Sequence, residues 1–358
     1  MDSRPLKLNE FITEYPLGGE WEVSYTDGTH LPEDEYVKLG DITVDADKEI
    51  VLRYPILPFT FRPVTDEKIE SHLSRLSKDK GEKQANRVQK IIHDQLADSM
   101  VRTGLLRPIF CLMEEQTIEM GFREVMKKLS EHGYLILVAD TSALRRGAIS
   151  FLHKILSNVL IWTVVPVFVM TEVQRQVREL HKIWRESGEG TNPHLGKCSI
   201  LKMRPQVSVI SRELNHIRQW RPVEMLTTLS EHLGQSNGSS NIDRLIIESV
   251  KNLQRERGLH QGVYLITGDK DMASLATLEN QRSLHIGVPP VPSETSSVRY
   301  DSHNERLILT PIHYLLWDLA QVFSTIRLDN KKCKYELAYY SQARGGFFSH
   351  DVMEIREL

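Results

Sequence analysis

The stretch that most constrains this chain is Tyr134-Leu-Ile-Leu-Val-Ala-Asp140-Thr141-Ser142, six residues without polar alternation that end in an acid and two hydroxyls. An uninterrupted apolar run of that length suits a strand buried on both faces of a parallel sheet. The acid then emerges at the carboxyl edge. Open α/β sheets place their chemistry there, because the loops are wet and the strands beneath them are rigid. A second stretch repeats the pattern: Val263-Tyr-Leu-Ile266 runs into Thr267-Gly268-Asp269-Lys270-Asp271.

With 358 residues, the chain has room for one large core with attachments or for two domains. A net charge of −3 argues against a surface coated in positive charge, so contact with nucleic acid would need a local patch. Cys111, Cys198 and Cys333 lie far apart with no metal or redox spacing, which suits free thiols in a reducing cytosol. The most apolar stretch, Val159 to Met170, is about half of what a membrane span needs. The N-terminus has no basic region leading into an apolar one. The expectation is a cytoplasmic protein without membrane contact.

Residues 1–63 read as a small β-rich module, with strands at Trp21–Tyr25, Tyr36–Leu39 and Ile50–Ile56 separated by polar turns. The acids of those turns suit solvated positions. Residues 64–132 read as a helical segment packing on the core: two helices over Thr65–Arg102, with interleaved acids and bases, and a third over Thr117–Glu131. The core domain is expected over 133–326, with a Gly- and Ser-rich insertion at about 184–205, and a C-terminal extension over 327–358. Within the core, Val164–Val169 reads as a strand that leads straight into a helix capped by Thr171, with Glu172 in its first turn. Asp243 opens another amphipathic helix at Ile242. Gln206–Ile210 suits a strand, Pro222–Leu233 a short helix, Leu284–Val288 a last core strand, Ser297–Leu309 a hairpin, Ile312–Ile326 a helix and Tyr335–Tyr340 an edge strand.

Four acids thus sit at the ends of elements in one alternating β and α region. Taken singly, Glu172 and Asp243 suit the helix dipole equally well. Asp140 and Asp269 both follow buried strands, and like charges at one sheet edge are unfavourable unless something neutralises them. A hard divalent cation does so: Mg²⁺ or Mn²⁺ takes a few carboxylates together with water and phosphate oxygens.

Asp140-Thr-Ser-Ala-Leu after a strand, then Val164-Val-Pro-Val-Phe-Val-Met-Thr-Glu172, then Ile242-Asp243 opening a helix, then Leu265-Ile-Thr267-Gly-Asp269-Lys-Asp271, resembles the PIN-domain nucleases in order and spacing. The resemblance covers roughly residues 133–290. It implies an α/β fold, a PIN-like domain with a central parallel β-sheet flanked by helices, here with an N-terminal β-rich plus helical module and a C-terminal extension. It also implies metal-dependent phosphodiester hydrolysis, most often of RNA. Asp140, Glu172, Asp243 and Asp269 match the acidic quartet that would hold Mg²⁺ or Mn²⁺, with Asp140 and Asp269 central. Asp271 would be an auxiliary acid, and Ser142 and Thr267 match the hydroxyls beside the acids. The departures are the long insertion between Glu172 and Asp243 and the extensions at both ends.

The expected chemistry is attack of a metal-activated water in an in-line displacement. Arg145, Lys270, Arg146 and Arg244 neighbour the acids and could hold phosphates, Arg145 and Lys270 foremost. The fourteen histidines show no ligand spacing and read as structural or surface residues. The preference for RNA over DNA rests on the resemblance alone. A haloacid-dehalogenase-like phosphatase is a rival, but it needs a second acid two residues after the first, where this chain has Ser142. A non-catalytic assembly scaffold is another. The extensions suggest docking to a second copy or to a larger machine, an ATPase-driven one among the options.

Overall fold

The computed structural model describes residues 4–15, 17–25, 36–45, 48, 50–51, 55–64, 82–114, 117–175, 178, 209–210, 212–214, 223–224, 239–257, 262–301, 306–323, 325–341 and 351–358. The described residues fall into two compact units. The first lies within Met1–Arg107 and Pro290–Leu358, the second within Pro108–Arg178 and Val209–Pro289. The expected insertion at 184–205, the segments 65–81 and 206–208, and 225–233 of the short-helix reading lie outside the described residues.

The first unit is built on an eight-stranded sheet, antiparallel at every pairing. Its order is β1 (Arg4–Leu6), β19 (Asp351–Glu357), β18 (Lys334–Ser341), β17 (Thr325–Asp329), β2 (Gly19–Tyr25), β3 (Val37–Val44), β6 (Phe59–Pro63), β14 (Thr295–Ser296). Two short antiparallel pairs accompany it: β4 (Ile50–Val51) with β5 (Pro55–Ile56), and β15 (Val298–Asp301) with β16 (Arg306–Leu309). The last is the expected hairpin. Helix α1 (Leu8–Glu14) and helix α2 (Glu82–Arg102) both pack against α9 (Ile312–Phe323), whose residues are all buried except Tyr314.

The second unit carries a seven-stranded mixed sheet. Its order is β11 (Val223–Glu224), β10 (Leu160–Val164), β9 (Tyr134–Ala139), β12 (Val263–Thr267), β13 (Ser283–Gly287), β7 (Ile109–Glu114), β8 (Thr117–Met120). Neighbours from β11 to β13 run parallel, whereas β7 and β8 are antiparallel to their neighbours. Every residue from Leu135 to Ala139 and from Val263 to Thr267 is buried, as the unalternating pattern of these strands demands. The unit's helices are α3 (Phe122–Ser130), α4 (Thr141–Arg145), α5 (Ala148–Ile155), α6 (167–175), α7 (Ser239–Arg257) and α8 (Lys270–Leu278).

This architecture overturns the expected α/β, PIN-like class with a central parallel sheet flanked by helices. The largest sheet is wholly antiparallel, and the other is mixed. The strands that decide the matter come from segments far apart in sequence: β17 of the tail pairs with β2, and β18 lies inside the sheet between β17 and β19 instead of at an edge. Pairing at such separation leaves no local pattern to read.

Five local expectations change. Gly121, at φ 113°, separates strand β8 from helix α3 where one helix over Thr117–Glu131 was expected, and Ile109–Glu114 just before is a strand too. The expected Val164–Val169 strand ends at Val164, and a helix starts behind Pro166. A short apolar run does not tell a buried helix from a buried strand. The Ile312–Ile326 helix stops at Phe323 and the chain turns into β17. Residues 223–224 form a strand and 209–210 are helical, the reverse of the expectation for each.

Candidate functional site

Asp140 and Asp269 each cap the helix that follows their strand. Asp140 continues the ladder one step beyond β9, its amide donating to Ile266 O at 3.1 Å. Its Oδ1 accepts from Ala143 N at 2.7 Å, the N-cap bond of α4. Ser142 Oγ lies 2.8 Å from both carboxylate oxygens, and Thr267 Oγ1 donates to Oδ2 at 2.5 Å. The side chain is only 5% exposed. Burial pushes its carboxyl up from 3.8 to about 6, against the opposing pull of the Thr267, Ala143 and Ser142 bonds and the Arg146 charge.

The same two hydroxyls hold the next turn. Gly268 N donates to Ser142 Oγ at 2.6 Å, and Asp269 N donates to Thr267 Oγ1 at 2.9 Å. Arg146 Nη1 donates to Gly268 O at 2.9 Å and to Ile286 O, binding the ends of β12 and β13 together. The guanidinium lies so close to residue 268 that a Cβ there would collide with it, which explains a glycine at that position. Asp269 is exposed. Its Oδ1 accepts from the amides of Asp271 at 2.9 Å and Met272 at 3.3 Å, while Oδ2 accepts from no described residue.

Glu172 lies in the second turn of α6. Thr171 donates its hydroxyl back to Val167 O at 3.0 Å, inside the helix, instead of capping it. Glu172 is nevertheless tied to the first acid's loop, because Thr141 Oγ1 donates to its Oε2 at 2.5 Å. Helix α7 begins at Ser239, which moves Asp243 beyond the first turn. Asp243 is half-buried and makes no hydrogen bond or ion pair with a described residue. Burial, then the charge of Asp269, then that of Glu172, raise its carboxyl above the usual range. Asp243 therefore lies within electrostatic range of Asp269 and of Glu172, which come from two other elements. Among the described residues, however, no three carboxylate, imidazole or thiol groups stand close enough together to hold a metal ion.

The remaining predicted residues are placed as follows. Asp271 is exposed in the first turn of α8. Lys270 and Arg244 are exposed, with no ion pair to a described residue. Arg145 is half-buried at the end of α4, and Arg146 is committed to backbone carbonyls. Two residues went unread in the sequence. Thr141 links Glu172 to the Asp140 loop. His285 sits in register between Thr267 on β12 and Cys111 on β7. Burial lowers its ionisation, as does the charge of Arg146, with the Gly268 backbone opposing. Its one signal in the sequence is a polar residue inside the apolar run Leu-His-Ile.

No protein-family model matches the chain, and no curated protein matches it. A solved structure of a domain of a functionally unknown protein from Methanocaldococcus jannaschii DSM 2661 is similar over 44% of this chain and 95% of that one, at 16% identity and a TM-score of 0.28. Among the described residues, no helix is long and apolar enough to cross a membrane.

Proposed function

We propose that this chain is a metal-dependent hydrolase of phosphodiester bonds acting on nucleic acid, as an endonuclease with RNA ahead of DNA. The observation that carries the proposal is Asp243. A half-buried carboxylate with no described donor or cation, made harder to ionise by two further acids, costs stability unless a cation joins it. The order of the acids along the chain, similar to that of the PIN-domain nucleases, supports nucleic acid as the substrate and RNA as its first form.

The donor set fits Mg²⁺ or Mn²⁺ of the open kind. Such an ion needs only one or two carboxylates when waters and substrate phosphate complete its octahedron. Asp243 and Asp269 would hold it, with Glu172 alongside, so a closed cage of three groups is not required. When bound, the ion would polarise a phosphoryl oxygen and make its water more acidic. The chain's own residues orient that arrangement. Thr141 holds the Glu172 carboxylate and the N-cap bonds hold Asp269, and Lys270 and Arg244, both exposed, would meet flanking phosphates. Arg146 is left out of phosphate contact by its backbone bonds. The segments outside 133–290 would dock to a second copy or to a protein partner, with an ATPase among the candidates.

The test is incubation of labelled single-stranded RNA, single-stranded DNA and duplexes with Mn²⁺ or Mg²⁺. Cleavage is expected to disappear with EDTA and to fall by about two orders of magnitude or more in Asp243→Asn and Asp269→Asn. Cleavage that survives either treatment overturns the proposal.

A further inference from the structure

Granted that reading, the acids at the sheet edge divide into two kinds. A carboxylate offers about four lone-pair directions over its two oxygens. At Asp140 three donors meet them: Ala143 N on Oδ1, Thr267 Oγ1 on Oδ2, and the one Ser142 hydroxyl proton shared between both oxygens. The residue is only 5% exposed, so an ion would have to enter past the hydroxyls that cover it. Each hydroxyl is held from behind: Ser142 Oγ accepts from Gly268 N, and Thr267 Oγ1 accepts from Asp269 N. Two relays, amide to hydroxyl to carboxylate, run side by side from the turn at 268–269 into Asp140. Asp269 is the opposite case, exposed, with Oδ2 accepting from no described residue.

We propose that Asp140 is a positioning residue and not a metal ligand: through Ser142 and Thr267 it locks the backbone of Gly268 and Asp269, so that Asp269 and Asp243 are the acids left to take the ion. Arg146 completes the lock from the other side by gripping Gly268 O and Ile286 O. The acid that the sequence puts at the centre thus acts through another acid. Its carboxylate is needed as the acceptor for both hydroxyls, which accounts for a buried acid with Ser142 and Thr267 against it.

The experiment uses the full chain and two readouts: amide hydrogen exchange at Gly268 and Asp269, and Mn²⁺ uptake followed by the resonance of free Mn²⁺. Thr267→Val removes one relay and should speed exchange at the Asp269 amide about tenfold, with Thr267→Ser restoring it. Asp140→Asn, which keeps an acceptor oxygen, should weaken Mn²⁺ uptake by less than about tenfold, whereas Asp269→Asn should weaken it by about a hundredfold or more. An Asp269 amide indifferent to Thr267→Val overturns the lock. Loss of Mn²⁺ in Asp140→Asn as complete as in Asp269→Asn overturns the division of roles. Slow amides in a wild type that takes up no Mn²⁺ support the lock and overturn the metal-dependent reading instead.

Discussion

Each unit buries carboxylates, and Asp318 of one and Asp140 of the other are neutralised by different means. In the antiparallel unit, Asp318 is fully buried and meets Arg102, itself 1% exposed on the side chain. Nε reaches both carboxylate oxygens at 3.1 Å, Nη2 reaches Oδ2 at 2.6 Å, and Nη2 also donates to Ser99 Oγ at 2.9 Å. This is a bidentate pair, with opposite charges in contact. In the mixed-sheet unit, Asp140 is buried with hydroxyls and an amide as its donors, and the Arg146 charge is the weakest of its supports. Asp243 has less still. A unit built for stability alone would treat its acids as Asp318 is treated. On the proposed function, Asp243 is left without a base because a cation is to join it, whereas Asp140 keeps its hydroxyls to hold the neighbouring turn.

The largest effect should come from breaking the compensated acid. Arg102→Met leaves Asp318 buried without its countercharge and is expected to lower unfolding stability by about 3–5 kcal/mol in a urea titration. The double variant Arg102→Met with Asp318→Leu should recover much of that loss, since an apolar pair of similar volume replaces a pair that had to be desolvated. A single variant costing less than about 1 kcal/mol would erase the contrast between the two acids.

Asp140→Asn should move stability the other way. The native carboxyl holds its proton up to about 6 against 3.8 when exposed, so the native state binds more protons than the unfolded state between those values. Stability from this group therefore declines as pH rises from about 4 through 6 and stays reduced above that. The rise corresponds to about 3 kcal/mol at pH 7, an upper bound on the gain from a neutral isostere, because the new amide must find its own acceptor. Melting temperatures of both proteins at pH 4 and 7.5 read it directly: the variant should be the more stable at the higher pH, with the gap closing at the lower. A wild type whose excess stability grows with pH would show that Asp140 is as well compensated as Asp318.

How far these acids could be read from the sequence depends on whether their setting is local. Asp140 and Asp269 were legible because an unalternating strand that ends in an acid needs only about eight residues to recognise, and both do cap the next helix. The hydroxyls Ser142 and Thr267 stood beside them and bond as neighbours would. Glu172 has a different setting from the one expected. It was read as the first turn behind a strand, yet the strand stops at Val164 and Glu172 comes into range through the second turn of a helix. The antiparallel sheet was not legible, because β2 finds β17 across some three hundred residues and the apolar pattern of neither names its partner. Arg146 shows the same limit on a smaller scale. A base beside an acid in sequence looks like a phosphate contact, and only the fold reveals that two carbonyls have claimed it.

Asp243→Asn should be smaller in stability and large in activity. The raised carboxyl again means that the native state holds the proton more firmly, so ionisation at neutral pH costs stability that the variant no longer loses. The expected result is a slight rise in melting temperature at pH 7, no difference at pH 4, and loss of metal-dependent cleavage. A fall in melting temperature at pH 7 would show that a donor compensates Asp243, and would remove the observation on which the functional reading stands.

The smallest effect belongs to a control on the same helix. Two turns after Asp243, Lys251 Nζ lies 2.6 Å from Glu248 Oε1 and 2.7 Å from Glu279 Oε2, so α7 carries a matched acid and an unmatched one within a few residues. Its pairs lie near the surface, where solvent and salt screen them, and Lys251→Met should cost less than about 1 kcal/mol and lose most of that in high salt. If Asp243 were as ordinary as Glu248, its substitution would be equally slight and equally salt-sensitive, and cleavage would not notice either. Because Asp243 is set against Asp269 and Glu172 instead of a lysine, the two substitutions should part in sign at pH 7: Lys251→Met lowers the melting temperature and Asp243→Asn raises it.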